Sequence, residues 1–239
     1  MARRTERRTG RIAALLLMLT VAAGCATAPP PPVDPARLDE GVARLGRPLP
    51  GDLAALYRLR VARTGGLRLA LAATGDAGRL TISEPFGAAV SLTAWQVGRP
   101  TVFYDLREGC RQEVRDLAEV LGVVALPLPE AARLLGGRLP AGAGDRVEAT
   151  ESGDLVVYGD GWAATVRLAA DPWRVVEAVE GRPGGGWRIE LGDHTSSVPG
   201  RIVLEHPDGR WAELELSRLE WPDALELPAL PDLPQCGLP

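Results

Sequence analysis

Lysine is absent from the 239 residues, histidine occurs twice, cysteine three times, and no apolar run is long enough to span a bilayer. Each shortage removes a class of function. Without lysine, the run Gly184-Gly185-Gly186 cannot serve as a phosphate loop, which needs Lys followed by Ser or Thr, and it reads as a turn before Trp187. His194 and His206 stand alone, with no partner spaced for a metal or a catalytic triad, and both are expected on the surface or in loops. Basic charge is also short: 27 Lys+Arg face 31 Asp+Glu, a net −4 that argues against nucleic acid as a partner. Asp105, Glu108, Asp145 and Asp154 leave a glycosidase-type carboxylate pair open on paper. Nothing in their spacing requires one, and the chain is read as a non-enzyme without a cofactor.

What is present is organised around the N-terminus. Arg3, Arg4, Arg7, Arg8 and Arg11 precede the apolar run IAALLLMLTVAAGC at residues 12–25. A basic start, a short apolar stretch and small residues before a cleavage point make a secretory signal. Ala22-Ala23-Gly24-Cys25 resembles the lipobox of bacterial lipoproteins, with Ala22 where leucine is usual. That resemblance implies a signal peptide over 1–24 and an acylated Cys25, whose chains each contribute about 0.8 kcal/mol per buried CH₂ to membrane anchoring. Ala26, a non-Asp residue after the cysteine, implies the outer membrane, facing the periplasm. With the signal removed, 22 arginines face 30 acids, or −8. In an oxidising compartment the two remaining cysteines, Cys110 and Cys236, are most economically a disulfide, and their spacing fits no metal site. Such a bridge would tie the C-terminal tail to the middle of the domain.

After the signal, residues 25–35 are proline-rich and form an extended tether. Residues 36–221 make one domain, and 222–239 a proline-rich tail. A short helix is expected from Asp34 or Pro35 through Leu45, with Leu38, Val42 and Leu45 on one face, and a second helical turn from Asp52. From Tyr57 the period changes to two: Tyr57, Leu59, Val61; then Leu67, Leu69, Leu71; then Leu80, Ile82. Strands follow over 88–95 and 101–104. Two short helices, carrying Val114, Leu117, Leu121 and then Ala131, Leu134, Leu135, are expected between Cys110 and Pro140. Six more strands run near 155–158, 162–168, 173–179, 187–191, 201–206 and 211–219. The fold class is therefore mainly β (α+β): a strongly curved antiparallel sheet, or half-open β-barrel, of about eleven strands around a helical lid. The six tryptophans mostly begin or end strands, a position of rim packing rather than of a stacking platform.

Four segments carry a family resemblance. LTISEPFG at 80–87 resembles a strand and Pro-apolar-Gly hairpin ahead of a protruding loop. LPLP at 126–129 with LLGGRLP at 134–140 resembles a helix and its Gly-x-Pro exit. GWRIEL at 186–191 resembles a Gly-Trp strand, and Val198-Pro199 with residues 202–221 resembles the last strands, which run from a proline to a tryptophan. In this order they are similar to the LolA/LolB-like family, most nearly its LolB branch. The tail is richer in proline than that branch, and the tryptophan motif of its first helix is missing here.

The resemblance implies a membrane-anchored lipoprotein receptor or carrier acting in lipoprotein localisation, with acyl chains as ligand and a periplasmic carrier protein as partner. The chain is read as a monomer. Leu67, Leu69, Leu71, Leu80, Ile82, Val90, Leu92, Val166 and Ile189 would line an apolar cavity, and Val114, Leu117, Leu121, Leu134 and Leu135 would form its lid. Phe86, on the tight hairpin, would insert into the membrane or meet the incoming chain, unless it folds back on the sheet. Dry core and ligand cavity use the same residue types. A structural or assembly-accessory lipoprotein with a filled core, or a carrier of another envelope lipid, therefore stays open.

Overall fold

The computed structural model describes residues 33–61, 64–181, 186–195, 198–227 and 229–237. The signal segment, Cys25, the tether up to Pro32 and most of the glycine run before Trp187 lie outside them. No described helix is long and apolar enough to cross a membrane.

Asp34 caps a 3₁₀ turn at Pro35–Arg37 by accepting a hydrogen bond from the Ala36 amide, and helix α1 (Leu38–Leu45) follows. Leu38 and Leu45 are buried. Gly41 lets the helix lie directly on Trp173 and Leu168, since a Cβ there would come within 2.8 Å of the indole ring. The helical turn expected from Asp52 does not form. Leu53, Ala55, Tyr57 and Leu59 are all buried, so period-two burial already begins at Leu53 and carries strand β1 over Leu53–Val61.

Thirteen strands form one antiparallel sheet. Six lie in the first half: β1, β2 (Thr64–Ala73), β3 (Ala77–Ser83), β4 (Ala89–Gln96), β5 (Thr101–Asp105) and β6 (Cys110–Val114). Seven lie in the second: β7 (Arg146–Ala149), β8 (Leu155–Gly159), β9 (Trp162–Ala169), β10 (Arg174–Glu180), β11 (Arg188–Gly192), β12 (Arg201–Glu205) and β13 (Trp211–Glu220). The spatial order is β6-β5-β4-β3-β2-β1-β13-β12-β11-β10-β9-β8-β7. Each half is a simple meander, and the β1–β13 pairing joins them. The sheet is curved and open, with β6 and β7 as its edges. The helices α2 (Leu117–Leu121) and α3 (Leu128–Leu135) connect those two edges.

The two strands beyond the expected eleven are these edges. CRQEV in β6 and RVEA in β7 bury almost nothing, so neither carries the apolar alternation by which an inner strand is recognised. Val114 consequently ends β6 and is no part of a helical lid. Asp116 caps α2 by accepting from the Ala118 and Glu119 amides, and Gly122 closes it at φ 77°. Pro129 sits in the first turn of α3.

The concave face is mostly apolar and much of the convex face is charged. On the convex side Glu213 sits between Arg60 and Arg201, while Glu177 sits between Arg167 and Arg188. These cross-strand pairs satisfy the solvent side of the sheet. Cys110 and Cys236 are bonded. Around that bond the Arg111 amide donates to the Pro234 carbonyl at 2.8 Å and the Cys236 amide to the Arg111 carbonyl at 2.9 Å. The tail thus adds a short parallel bridge to the β6 edge, which would otherwise present open ladder groups.

Candidate functional site

The core of the concave side contains a small crevice between the sheet and the helix pair. Leu69 and Leu80 border it from one half of the sheet, and Ile189, Leu191, Ile202, Leu204 and Leu214 from the other. Leu117, Leu121, Ala131, Leu134 and Leu135 close it from α2 and α3. Every lining residue is aliphatic. Its volume is only about 20 Å³, room for the centre of one water molecule. No acyl chain fits in that volume.

Among the described residues α2 has one polar tie to the sheet, while α3 and the turn after it have several to the rest of the fold. The Tyr57 hydroxyl, on β1, donates to the Leu135 carbonyl at 3.2 Å. Burial pushes the Tyr57 phenol up, so it stays protonated and remains a donor. Arg210, in the turn between β12 and β13, donates to the Gly122 carbonyl at the end of α2. Behind α3, Arg133 donates to the Leu139 carbonyl at 3.0 Å and to the Gly46 carbonyl at 3.0 Å, joining α3 to the end of α1.

Of the nine residues expected to line a cavity, Leu69, Leu80 and Ile189 border the crevice. Leu71, Ile82 and Val166 are buried in the surrounding core, with Leu67 and Val90 packed half-buried against it. Leu92 is on the other face. A register shift between Ile82 and Ser83 leaves Val90 without a cross-strand partner, so Ser91 pairs with Ile82 and Thr93 with Leu80. Ser91 and Thr93 then face inward and are buried, while Leu92 pairs with Thr81 and Tyr104 on the convex side. Of the lid residues, Leu117, Leu121, Leu134 and Leu135 meet the crevice. The lining residues Leu191, Ile202, Leu204 and Leu214 belong to strands already legible by their alternation. Ala131, expected on the apolar face of the second helix with Leu134 and Leu135 but not as a lid residue, meets the crevice as well.

Phe86 is 98% exposed. Its hairpin closes through the Gly87 amide donating to the Glu84 carbonyl and the Glu84 amide to the Ala88 carbonyl, both at 2.9 Å. Gly87 adopts φ 96°, a conformation that favours glycine. Arg107, from the turn between β5 and β6, pairs with Glu84 at 2.5 Å and steadies the base of the hairpin.

The remaining candidates have local roles. His194 Nε2 lies 2.9 Å from the Val175 carbonyl, and burial pulls its pKa down. His206 lies against Asp208 at 2.8 Å. Among the described residues no group of three or more His, Cys, Asp or Glu could hold a metal ion. Asp105 accepts from the Arg107 and Glu108 amides, Asp145 from the Gly142 amide, and Asp154 pairs with Arg167. Trp187, Trp173 and Trp95 are core residues rather than rim.

No protein-family model and no curated protein sequence matches the chain. In structure it is similar to a LolA superfamily protein from Nitrosomonas europaea, with a TM-score of 0.54 and 14% identity, over 81% of this chain and 96% of that one. A curved, open antiparallel sheet that is mostly β and carries few helices, superposable over nearly the whole of that neighbour, has the LolA-like fold.

Proposed function

We propose that the protein is a lipid-anchored, periplasm-facing binder of acyl chains that acts in lipoprotein localisation at the outer membrane, as a LolB-like receptor or carrier. The observation that carries the reading is the wholly aliphatic crevice between the concave sheet and two short helices. A lipoprotein in transit must keep its acyl chains out of water, and a long chain is worth on the order of 10 kcal/mol. Only an apolar enclosure offsets that. Here α2 and α3 would lift, and the lining leucines would exchange contacts with one another for contacts with the chain. Phe86, outside the enclosure, would meet the bilayer. Acylated Cys25 would hold the domain at the membrane, and a periplasmic carrier would deliver the cargo. The role is binding rather than catalysis.

The test is native mass spectrometry on a Cys25→Ala chain purified from the periplasm. The expected result is a co-purifying acylated ligand that a fluorescent fatty acyl probe displaces. A ligand-free mass with no probe binding would favour the second reading, a structural envelope lipoprotein, which the small volume of the crevice supports.

The Arg210 contact with Gly122 gives the lid a latch. A hydrogen bond of about 1 kcal/mol lost from the closed form only is expected to speed probe entry roughly fivefold in Arg210→Ala. Stopped-flow fluorescence measures it, and an unchanged entry rate would remove Arg210 from the gating step.

A further inference from the structure

A second pocket lies on the opposite face of the sheet from the crevice. On the convex side of β3 to β6, one row across the strands reads Arg79, Ala94, Val102, Glu113. The neighbouring row reads Thr81, Leu92, Tyr104, Arg111. Two small residues between two long ones leave a trough. The C-terminal segment roofs it with Leu227 and Leu230. That segment is fastened at both ends: the Leu225 amide donates to the Asp52 carboxylate at 2.7 Å, and Cys236 is bonded to Cys110. The half-open pocket measures about 340 Å³, within the range of small-molecule sites and far larger than the crevice.

Its charge is unbalanced. Arg79, Arg99 and Arg111 line it, against the single acid Glu113. Arg60, Arg167, Arg188 and Arg201 elsewhere on the sheet each have a carboxylate partner. Among the described residues the three pocket arginines have none. Arg79 is the sharpest case, because its Nε is shut off from solvent with no hydrogen-bond partner. Burial pulls its pKa down, and Tyr104 beside it is the opposing influence. A buried N–H without an acceptor is costly, and an oxyanion that reaches it removes that cost. The floor at Val102 and the roof at Leu227 and Leu230 would take an apolar body.

We propose that this pocket binds a small organic oxyanion, a carboxylate or phosphate monoester on a flat apolar body, seated on Arg79 with Arg99 and Arg111 beside it under the C-terminal strap. Such a site is separate from acyl-chain binding and stands or falls without it. The flat body lies between Val102 and the two leucines, while Arg79 donates to the oxyanion.

Calorimetric titration of the full mature chain tests this, with phenyl phosphate and phenylacetate as the anionic probes and benzyl alcohol as the neutral control. At least one anionic probe is expected to bind saturably, more weakly at high salt, and about tenfold or more tighter than benzyl alcohol. Which anion wins assigns the head group. Arg79→Met is expected to weaken the preferred probe about tenfold or more. The exposed Arg111→Gln should weaken it by a smaller factor and keeps the test decisive if Arg79→Met folds poorly. Equal affinity for the neutral control, no saturable binding of either anion, or variants that bind as the parent does would overturn the assignment.

Discussion

Phe86→Glu is expected to slow delivery of an acylated cargo into vesicles by about 10- to 200-fold while leaving the melting temperature unchanged. The two halves of that expectation come from one observation. With 98% of its surface exposed, the ring contributes no packing to the fold, so its removal falls in the range of ordinary surface substitutions. Entering a bilayer or a cargo's acyl chains, the same ring would gain roughly 1.5–3 kcal/mol, which glutamate forfeits. The hairpin itself is indifferent to residue 86, because Pro85, Gly87 and the Glu84 contact with Arg107 set its shape. Vesicle transfer of a fluorescent acylated peptide, run beside a thermal melt, measures both halves. Equal transfer by the variant would retire the insertion role; a lowered melting temperature would mean that Phe86 packs after all.

In the same hairpin part of the structure is legible in the sequence and part is not. Pro-x-Gly dictates a tight turn from local chemistry alone, and Leu69, Leu80 or Ile189 announce a buried face because burial and polarity alternate with the pleat. These signals are properties of single strands. Leu92 went to the wrong face because its alternation was counted from Val90, and the register shift beside Ser83 reverses the parity beyond that point. A bulge is a relation between two strands, invisible in either. Strands β6 and β7 were missed because an edge strand with both faces wet has no alternation to show. The convex pocket rests on still longer relations. Arg79, Val102 and Leu230 meet only because three ladder registers and the bond between Cys110 and Cys236 bring them together. The volume of the crevice lies furthest from the sequence, since a handful of leucines can pack solid or leave a gap by choosing rotamers.

That last ambiguity has an experimental answer in paired truncations. Leu134→Ala and Leu126→Ala are each expected to cost about 2–5 kcal/mol, as buried leucine truncations do. Both side chains are nearly inaccessible, at 2% and 0% exposure, so neither sheds its penalty by relaxing into solvent. They differ in what they border. Leu134 lines the crevice and Leu126 does not. Removing the Leu134 side chain therefore merges new space with an existing apolar void that connects sheet and lid. Removing Leu126 opens an isolated hole. If the crevice is the collapsed form of an acyl site, a fatty acyl probe should bind Leu134→Ala more tightly than the parent. Saturating probe should then restore a large part of its lost stability, since a ligand taken up only by the folded state stabilises by about 2.7 kcal/mol at a hundredfold excess over Kd. Leu126→Ala should gain no more from the probe than the parent does. Chemical denaturation of the parent and both variants, with and without probe, supplies all six numbers. Equal rescue of both variants, or of neither, would mean that the leucines of α3 fill a core and do not close a binding site.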